Sequence, residues 1–235
     1  ESAAAALQSA EARAESVAAA LKDDVLSGVN TITDILDHAE TLGDIRDLTP
    51  IMKMTSVNMA EEIRSYKILF EAESNELRVF YERITSSELL REIRALYSSI
   101  GVAFGKTIEI DASSRSIVFA TDKTLLKRVL GNLVKNALEA SKDGDKVTLG
   151  SYIENKELVF RVHNNGYMTE DVKARLFRKN ISTKGSQRGI GTHSVRMLTE
   201  KYLSGRVEFI SDAENGTIFS VYYPMEQQKA PSGNP

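Results

Sequence analysis

The sequence predicts a two-domain α+β chain in which a long helical hairpin precedes a two-layer α/β sandwich. Three observations carry this reading. Residues 1–42 contain no proline and one glycine, Gly28, in a background rich in strong helix formers. From about Asn75 the apolar spacing changes from steps of three and four to alternation. Beyond that point strand and helix candidates intermix without the strict alternation expected of a parallel sheet. The predicted organisation is therefore a helical domain over 1–74, a mixed domain over 75–226, and a polar, disordered tail over 227–235.

In the first helix, Leu7, Ala10, Ala14, Val17, Leu21, Val25, Ile32, Leu36 and Ala39 form one seam, with a single step of seven. At about 1.5 Å per residue this helix would be roughly 60 Å long. Its narrow Ala/Leu stripe cannot bury enough surface alone, so partner helices are required. The chain breaks at Leu42-Gly43-Asp44, and Thr49-Pro50 reads as a helix start, with Pro in the first turn. A second helix over 50–73 carries Met54, Val57, Ile63, Tyr66 and Phe70 as apolar positions. Two such hairpins, paired in a homodimer, would cover both seams as a four-helix bundle. A rigid coiled-coil spacer is the alternative.

In the second domain, Leu77, Val79 and Tyr81 alternate as in a strand, and 86–100 reads as a helix. Strand candidates follow at 107–110 and 116–120, then a helix over 122–141. Residues 147–153 and 158–162 read as an antiparallel pair around Asn155-Lys156. A polar, glycine-containing stretch covers 163–188, a helix 189–203, and a closing strand pair 207–210 and 217–223.

Composition excludes several classes. With no cysteine among 235 residues there is no disulfide framework, thiolate zinc site or cysteine nucleophile. No apolar run is long enough to span a membrane, and no signal-peptide pattern opens the chain. The formal charge is 30 − 33 = −3, without the basic excess of a dedicated nucleic-acid binder. The opening Glu-Ser-Ala-Ala suggests a piece of a longer protein. A cytoplasmic location is expected, with any membrane-tethered sensor lying upstream of Glu1.

Chemistry first shows in the helix over 122–141. Val129, Leu130, Leu133, Val134, Ala137 and Leu138 make an apolar face, while Asn132 and Asn136 lie four apart on one side. Asn136 offers magnesium a hard carbonyl oxygen at the edge of a phosphate site; solvent-facing or back-bonding amides are the alternative. A polar turn, Val162-His163-Asn164-Asn165-Gly166, follows a strand candidate. Then Phe177 to Gly185 leads to Arg188-Gly189-Ile190-Gly191-Thr192 and a helix. A Gly-rich turn opening a helix exposes unpaired N–H groups and a positive dipole end, which suits polyphosphate.

Taken together, these four segments resemble the ATP-binding domain of sensor histidine kinases, within the wider family of gyrase-, chaperone- and MutL-type ATPases. Asn132-Leu-Val-Lys-Asn136 is similar to the asparagine box, Asn164-Asn165-Gly166 to the adenine-contacting D-x-G-x-G box, Phe177 to the phenylalanine box and Gly189-Ile-Gly191-Thr192 to the second glycine box. Gly216-Thr217-Ile-Phe219 resembles the closing strand, and the hairpin resembles the dimerisation and phosphotransfer bundle. The resemblance implies ATP and magnesium as cofactors and a response regulator receiver domain as partner. It also assigns roles. Asn136 would coordinate magnesium, Asn132 and Lys135 would line the phosphates, and Asn164 would receive the adenine amine. Gly189 and Gly191 would supply backbone donors, and Thr183, Lys184 and Arg188 would belong to a lid.

Two departures from the family pattern stand out. Asn164 replaces the usual Asp, and Met168 the usual second Gly. A neutral amide loses charge assistance, so nucleotide affinity is expected to fall about tenfold. The larger departure lies in Leu21-Lys22-Asp23-Asp24-Val25-Leu26-Ser27. Asp23 occupies the phosphoacceptor histidine position, Asp24 that of the neighbouring acid, and Ser27 lies one turn later on the same face. A carboxylate is no stable carrier of a phosphoryl group from ATP, so self-phosphorylation should fail here. His38 is too near the hairpin turn to substitute; His163 and His193 are expected to shape the nucleotide site. A regulatory pseudokinase using ATP as a conformational ligand, and a hydrolytic gyrase- or chaperone-type ATPase, are the competing readings.

Overall fold

A computed structural model describes residues 26, 29–30, 33–34, 49–98, 101–176 and 190–224. These fall into two units, one ending at Leu77 and the other beginning at Arg78.

In the first unit, Leu26, Val29, Asn30, Thr33 and Asp34 are helical and exposed, and the Thr33 hydroxyl donates back to the Val29 carbonyl at 3.0 Å. None of the five belongs to the predicted seam. Helix α1, Thr49–Glu73, matches the predicted second helix. Its buried stripe near the C-terminus is Tyr66, Leu69 and Ala72, whereas Ile63 and Phe70 are exposed. Of the predicted apolar positions, Tyr66 is the one buried within the single chain among the described side chains. Met54 and Val57 lie outside the described side chains, as do the hairpin turn and most of the first helix.

The second unit is built from strand β1 (Glu82–Thr85), helix α2 (Ser86–Ser98), strands β2 (Thr107–Ile110) and β3 (Val118–Thr121), helix α3 (Lys123–Glu139), strands β4 (Lys146–Glu154) and β5 (Glu157–Asn164), helices α4 (Glu170–Arg175) and α5 (Ile190–Met197), and strands β6 (Arg206–Asp212) and β7 (Gly216–Pro224). A π-helical turn, Leu198–Tyr202, continues α5. The main sheet has the order β2-β4-β5-β7-β6, with only β2 and β4 parallel. A second, two-stranded sheet pairs β1 with β3. This mixed sheet with its helices is the α/β architecture expected.

One local reading needs correcting. Residues 76–81 are not a strand; pairing begins at Glu82, opposite Thr121. Alternation at 77, 79 and 81 lacked a partner strand, while Ile84 opposite Phe119 supplies a buried pair that anchors β1. The short helix α4, capped by the Thr169 hydroxyl on Val172 N, falls within the polar, glycine-containing stretch, to which no element is assigned. The β4–β5 turn is as predicted: Asn155 and Lys156 have φ of 49° and 65°, the left-handed pair a two-residue hairpin requires.

Helix α3 organises the core. Leu125, Leu126, Val129, Leu130, Leu133, Val134, Ala137 and Leu138 are buried along one broad stripe. Each fully buried Leu or Val contributes about 1.5–3 kcal/mol of apolar transfer. Gly131 lets Tyr97 of α2 lie against the helix, since a Cβ there would sit 2.5 Å from the Tyr97 hydroxyl. Asp122 caps α3: its Oδ1 accepts from Leu125 N at 3.0 Å, and its Oδ2 from Phe80 N at 2.8 Å. On the sheet, Phe160 meets Phe119 and Tyr223 with ring centroids 5.7 and 6.1 Å apart. The opposite sheet face is polar, carrying Arg161 beside Glu154 and over Tyr152, and Arg206 beside Glu157 and over Tyr222. Among the described residues, no helix is long and apolar enough to cross a membrane.

Candidate functional site

Three separate parts of the second unit meet at the C-terminal half of α3. Asn132, Lys135 and Asn136 flank its buried stripe and are themselves half-buried. Gly166, in the turn after β5, comes close enough to α3 that a Cβ would lie 2.8 Å from the Ala140 carbonyl oxygen. Gly191, in the first turn of α5, places the site of its absent Cβ 3.9 Å from Asn136 Oδ1. The structure therefore brings Asn136, Gly166 and Gly191 to one helix end. Thr192 follows, buried at the base of α5.

Sheet register supplies the floor. Ile108, Val147, Asn164, Thr217 and Ser211 are consecutive cross-strand partners in one row. Asn164, Thr217 and Ser211 are 2%, 5% and 6% exposed, so three polar side chains lie buried side by side. Each has a partner, as burial demands. Asn164 Nδ2 donates to the Gly166 carbonyl at 3.2 Å, and the Thr217 hydroxyl to the same oxygen at 2.7 Å. Ser211 and Thr217 share a hydrogen bond of 2.8 Å, and Met168 N donates to Ser211 Oγ at 2.8 Å. The first residue of β7, Gly216, has φ of 67°, and a Cβ there would lie 2.3 Å from the Asn164 carbonyl oxygen. Only glycine meets both demands and keeps Thr217 opposite Asn164.

His163 does not face this floor. It is the residue before Asn164 in β5 and so points to the other sheet face. There its Nε2 lies 3.0 Å from the Asn215 carbonyl oxygen. The expectation that it shapes the nucleotide turn is corrected by strand alternation. Ser211 is the residue sequence reading missed. Phe177, Thr183, Lys184, Arg188 and Gly189, together with Asp23, Asp24 and Ser27, lie outside the described residues.

The donor set can be tested against magnesium. Among the described residues, no group of three His, Cys, Asp or Glu side chains could hold a metal ion. Magnesium bound with a nucleotide keeps waters and phosphate oxygens and takes only one or two protein oxygens. A single amide oxygen at Asn136 fits that requirement.

Residues 121–227 match the family described as histidine kinase-, DNA gyrase B- and HSP90-like ATPase. The chain is 35% identical over 105 residues to the probable C4-dicarboxylate sensor kinase of Halalkalibacterium halodurans, covering 42% of this chain and 20% of that one. It is 25% identical over 233 residues to the sensor histidine kinase DpiB of Escherichia coli, covering 91% and 41% respectively. This chain thus spans well under half of either relative. The catalytic domain of histidine kinase ThkA superposes with a TM-score of 0.55 at 26% identity, covering 62% of this chain and 98% of that domain. ThkA in complex with the response regulator protein TrrA superposes with a TM-score of 0.58 at 21% identity, covering 91% and 62%.

Proposed function

We propose that the histidine-kinase-type ATPase core spanning residues 121–227 binds ATP with magnesium as the catalytic part of a two-component sensor kinase. The carrying observation is the meeting of Asn136, Gly166 and Gly191 at the end of α3. In this reading Asn136 ligates magnesium, while Asn132 and Lys135 line the phosphates. Gly189, Gly191 and Thr192 supply donors at the start of α5, Phe177, Thr183, Lys184 and Arg188 cover the nucleotide, and Asn164, Gly166 and Thr217 receive the base. Magnesium would neutralise charge on the phosphate oxygens. The protein's own part is positioning, because phosphoryl transfer proceeds through alignment and charge stabilisation rather than covalent work by the site.

The in-line nucleophile must come from elsewhere, and the hairpin over 1–74 is the proposed source. Two copies pair their hairpins as a four-helix bundle, and the phosphoryl group passes from a bundle histidine to a response regulator receiver domain. That ThkA crystallised with the response regulator protein TrrA supports this partner class. In this chain Asp23, with Asp24 and Ser27 beside it, stands at the acceptor position, and self-phosphorylation is disabled. The same residue favours a second reading, a regulatory pseudokinase in which ATP acts only as a conformational ligand.

Titration calorimetry with ATP and magnesium tests the binding step. Asn136→Ala should weaken ATP–magnesium binding about 10- to 100-fold, the ~1.5–3 kcal/mol of a contact to a charged group. No heat from the unaltered chain at millimolar ATP overturns the reading. Transfer of radiolabel from γ-labelled ATP then separates the two alternatives: Asp23→His should become labelled in a kinase and stay unlabelled in a pseudokinase.

A further inference from the structure

The chain contains two Asn-Gly pairs, Asn165-Gly166 and Asn215-Gly216. The antiparallel β5–β7 register puts both at one end of the sheet, just beyond the partners Asn164 and Thr217. An asparagine before glycine can close on itself, because the glycine nitrogen has no Cβ beside it to bar its approach to the side-chain carbonyl carbon. Closure needs an amide free to turn and a following N–H that is not held or shielded. Here the two pairs differ. Asn215 is tied: its Nδ2 donates to both carboxylate oxygens of Asp212, at 3.0 and 3.1 Å, and its backbone N to Asp212 Oδ1 at 2.8 Å. Its carbonyl oxygen lies 3.0 Å from His163 Nε2, and Gly216 is buried. The Asp212 carboxylate also opposes loss of the Gly216 amide proton. Asn165 is exposed and Gly166 half-buried, and among the described residues neither the Asn165 side chain nor Gly166 N makes a hydrogen bond.

We infer that Asn165 is a site of spontaneous modification in the turn after β5, converting to aspartate and isoaspartate while Asn215 is preserved. In the first step the Gly166 nitrogen bonds to Asn165 Cγ, the Cγ–Nδ2 bond breaks, and the amide proton leaves with Nδ2 as ammonia. Water then opens the cyclic imide. Opening at Cγ leaves an aspartate; opening at the main-chain carbon leaves an isoaspartate, whose backbone runs through the former side chain and is longer by a methylene. The conversion stands apart from any ligand, whereas its effect on binding rests on the nucleotide reading of this site. That effect enters at the Gly166 carbonyl, which accepts from Asn164 Nδ2 at 3.2 Å and from the Thr217 hydroxyl at 2.7 Å. A longer backbone just before Gly166 moves this oxygen away from two buried donors, and a stranded buried donor costs more than its bond contributed. Nucleotide affinity therefore declines as the chain ages, and a base seated against this turn slows the decline.

The test incubates the full chain in mildly alkaline buffer and follows both peptides by mass spectrometry, with isoaspartyl methyltransferase labelling to count isoaspartate. In the folded chain Asn165 should convert faster than Asn215 by about tenfold or more, the factor expected where a hydrogen bond to a charged group must first break. In urea, which frees Asn215 from Asp212, the two rates should draw together. An Asn215 that keeps pace in the folded chain, or a gap that persists undiminished in urea, overturns the inference. So does an Asn165 that survives in the folded chain and converts only in urea. Calorimetry should then find ATP–magnesium binding about tenfold weaker in the isoaspartate fraction than in fresh chain. Asn165→Gln, whose longer amide closes poorly, should keep its own fresh affinity through the same incubation. Equal affinity of fresh and converted chains, or an Asn165→Gln chain that loses affinity as fast, overturns the link between conversion and binding. Rapid conversion of Asn165 in a chain that binds no ATP–magnesium even when fresh supports the modification site and overturns the nucleotide reading instead.

Discussion

Strands β5, β7 and β6 present two kinds of surface to the helices that cover them. In one row Phe160, Val221 and Val207 are register partners, and Phe160 and Val221 are fully buried hydrocarbon. Four residues along, Asn164, Thr217 and Ser211 occupy the equivalent row on the same face, also buried. Burial is therefore not what separates core from site in this sheet. The hydrocarbon row is held by area and packing alone, and tolerates rearrangement of neighbours of similar volume. The polar row is held by donor–acceptor pairing, where losing one partner costs more than the bond itself contributes. A buried polar row of this kind gains little stability over an apolar one and acquires direction, which an apolar row lacks.

The comparison can be broken at several points. Phe160→Ala should have the largest effect, about 3–5 kcal/mol of lost stability, because it empties the space between Phe119 and Tyr223. Chemical denaturation measures it, and a loss below about 1 kcal/mol would show that this row is not the core. Thr217→Val comes next. It keeps the shape but leaves the Ser211 hydroxyl and the Gly166 carbonyl each short of a partner, for a loss of about 1–3 kcal/mol. A neutral outcome by the same measurement would mean that the polar row is packed like the apolar one.

Tyr223→Phe should do much less at neutral pH. Its phenol is buried, and neither it nor the Thr199 hydroxyl beside it makes a hydrogen bond of good geometry. Alkaline solution exposes the difference. Burial pushes the Tyr223 phenol well up, and burial with the neighbouring Asp111 carboxylate pushes Tyr152 to about 12. Unfolded phenols release their protons near pH 10 while these retain theirs, so stability present below about pH 10 is lost as the pH rises. The Tyr223→Phe chain should lose less across pH 10–12, read from denaturation midpoints.

Glu92→Gln is the smallest. The hydrogen bond from Lys123, with Lys127 also in reach, holds the Glu92 carboxyl below its ordinary value. That contribution is present above the unfolded carboxyl's value of 4.5 and is lost as the pH falls through the lower folded value. For so exposed a pair the effect should be under about 1 kcal/mol and weaken with salt.

Much of this was legible in local sequence. Helix α3 follows from its apolar repeat, the β4–β5 hairpin from Asn155-Lys156, and the site's segments from Asn132, Asn136, Asn164, Gly166 and Gly191. What stayed hidden depends on register. Ser211 is one more serine at a strand end until β6 pairs with β7 and sets it opposite Thr217. The false strand at 77–81 shows the same limit: periodicity proposes a face, and the partner strand decides.

Asp122 has one further consequence. Its two carboxylate oxygens serve different masters, one the first turn of α3 and the other the backbone of Phe80. A single side-chain torsion cannot turn without disturbing both, so the path of the chain at residue 80 and the seating of the amide-bearing helix behave as one mechanical linkage with a common pivot.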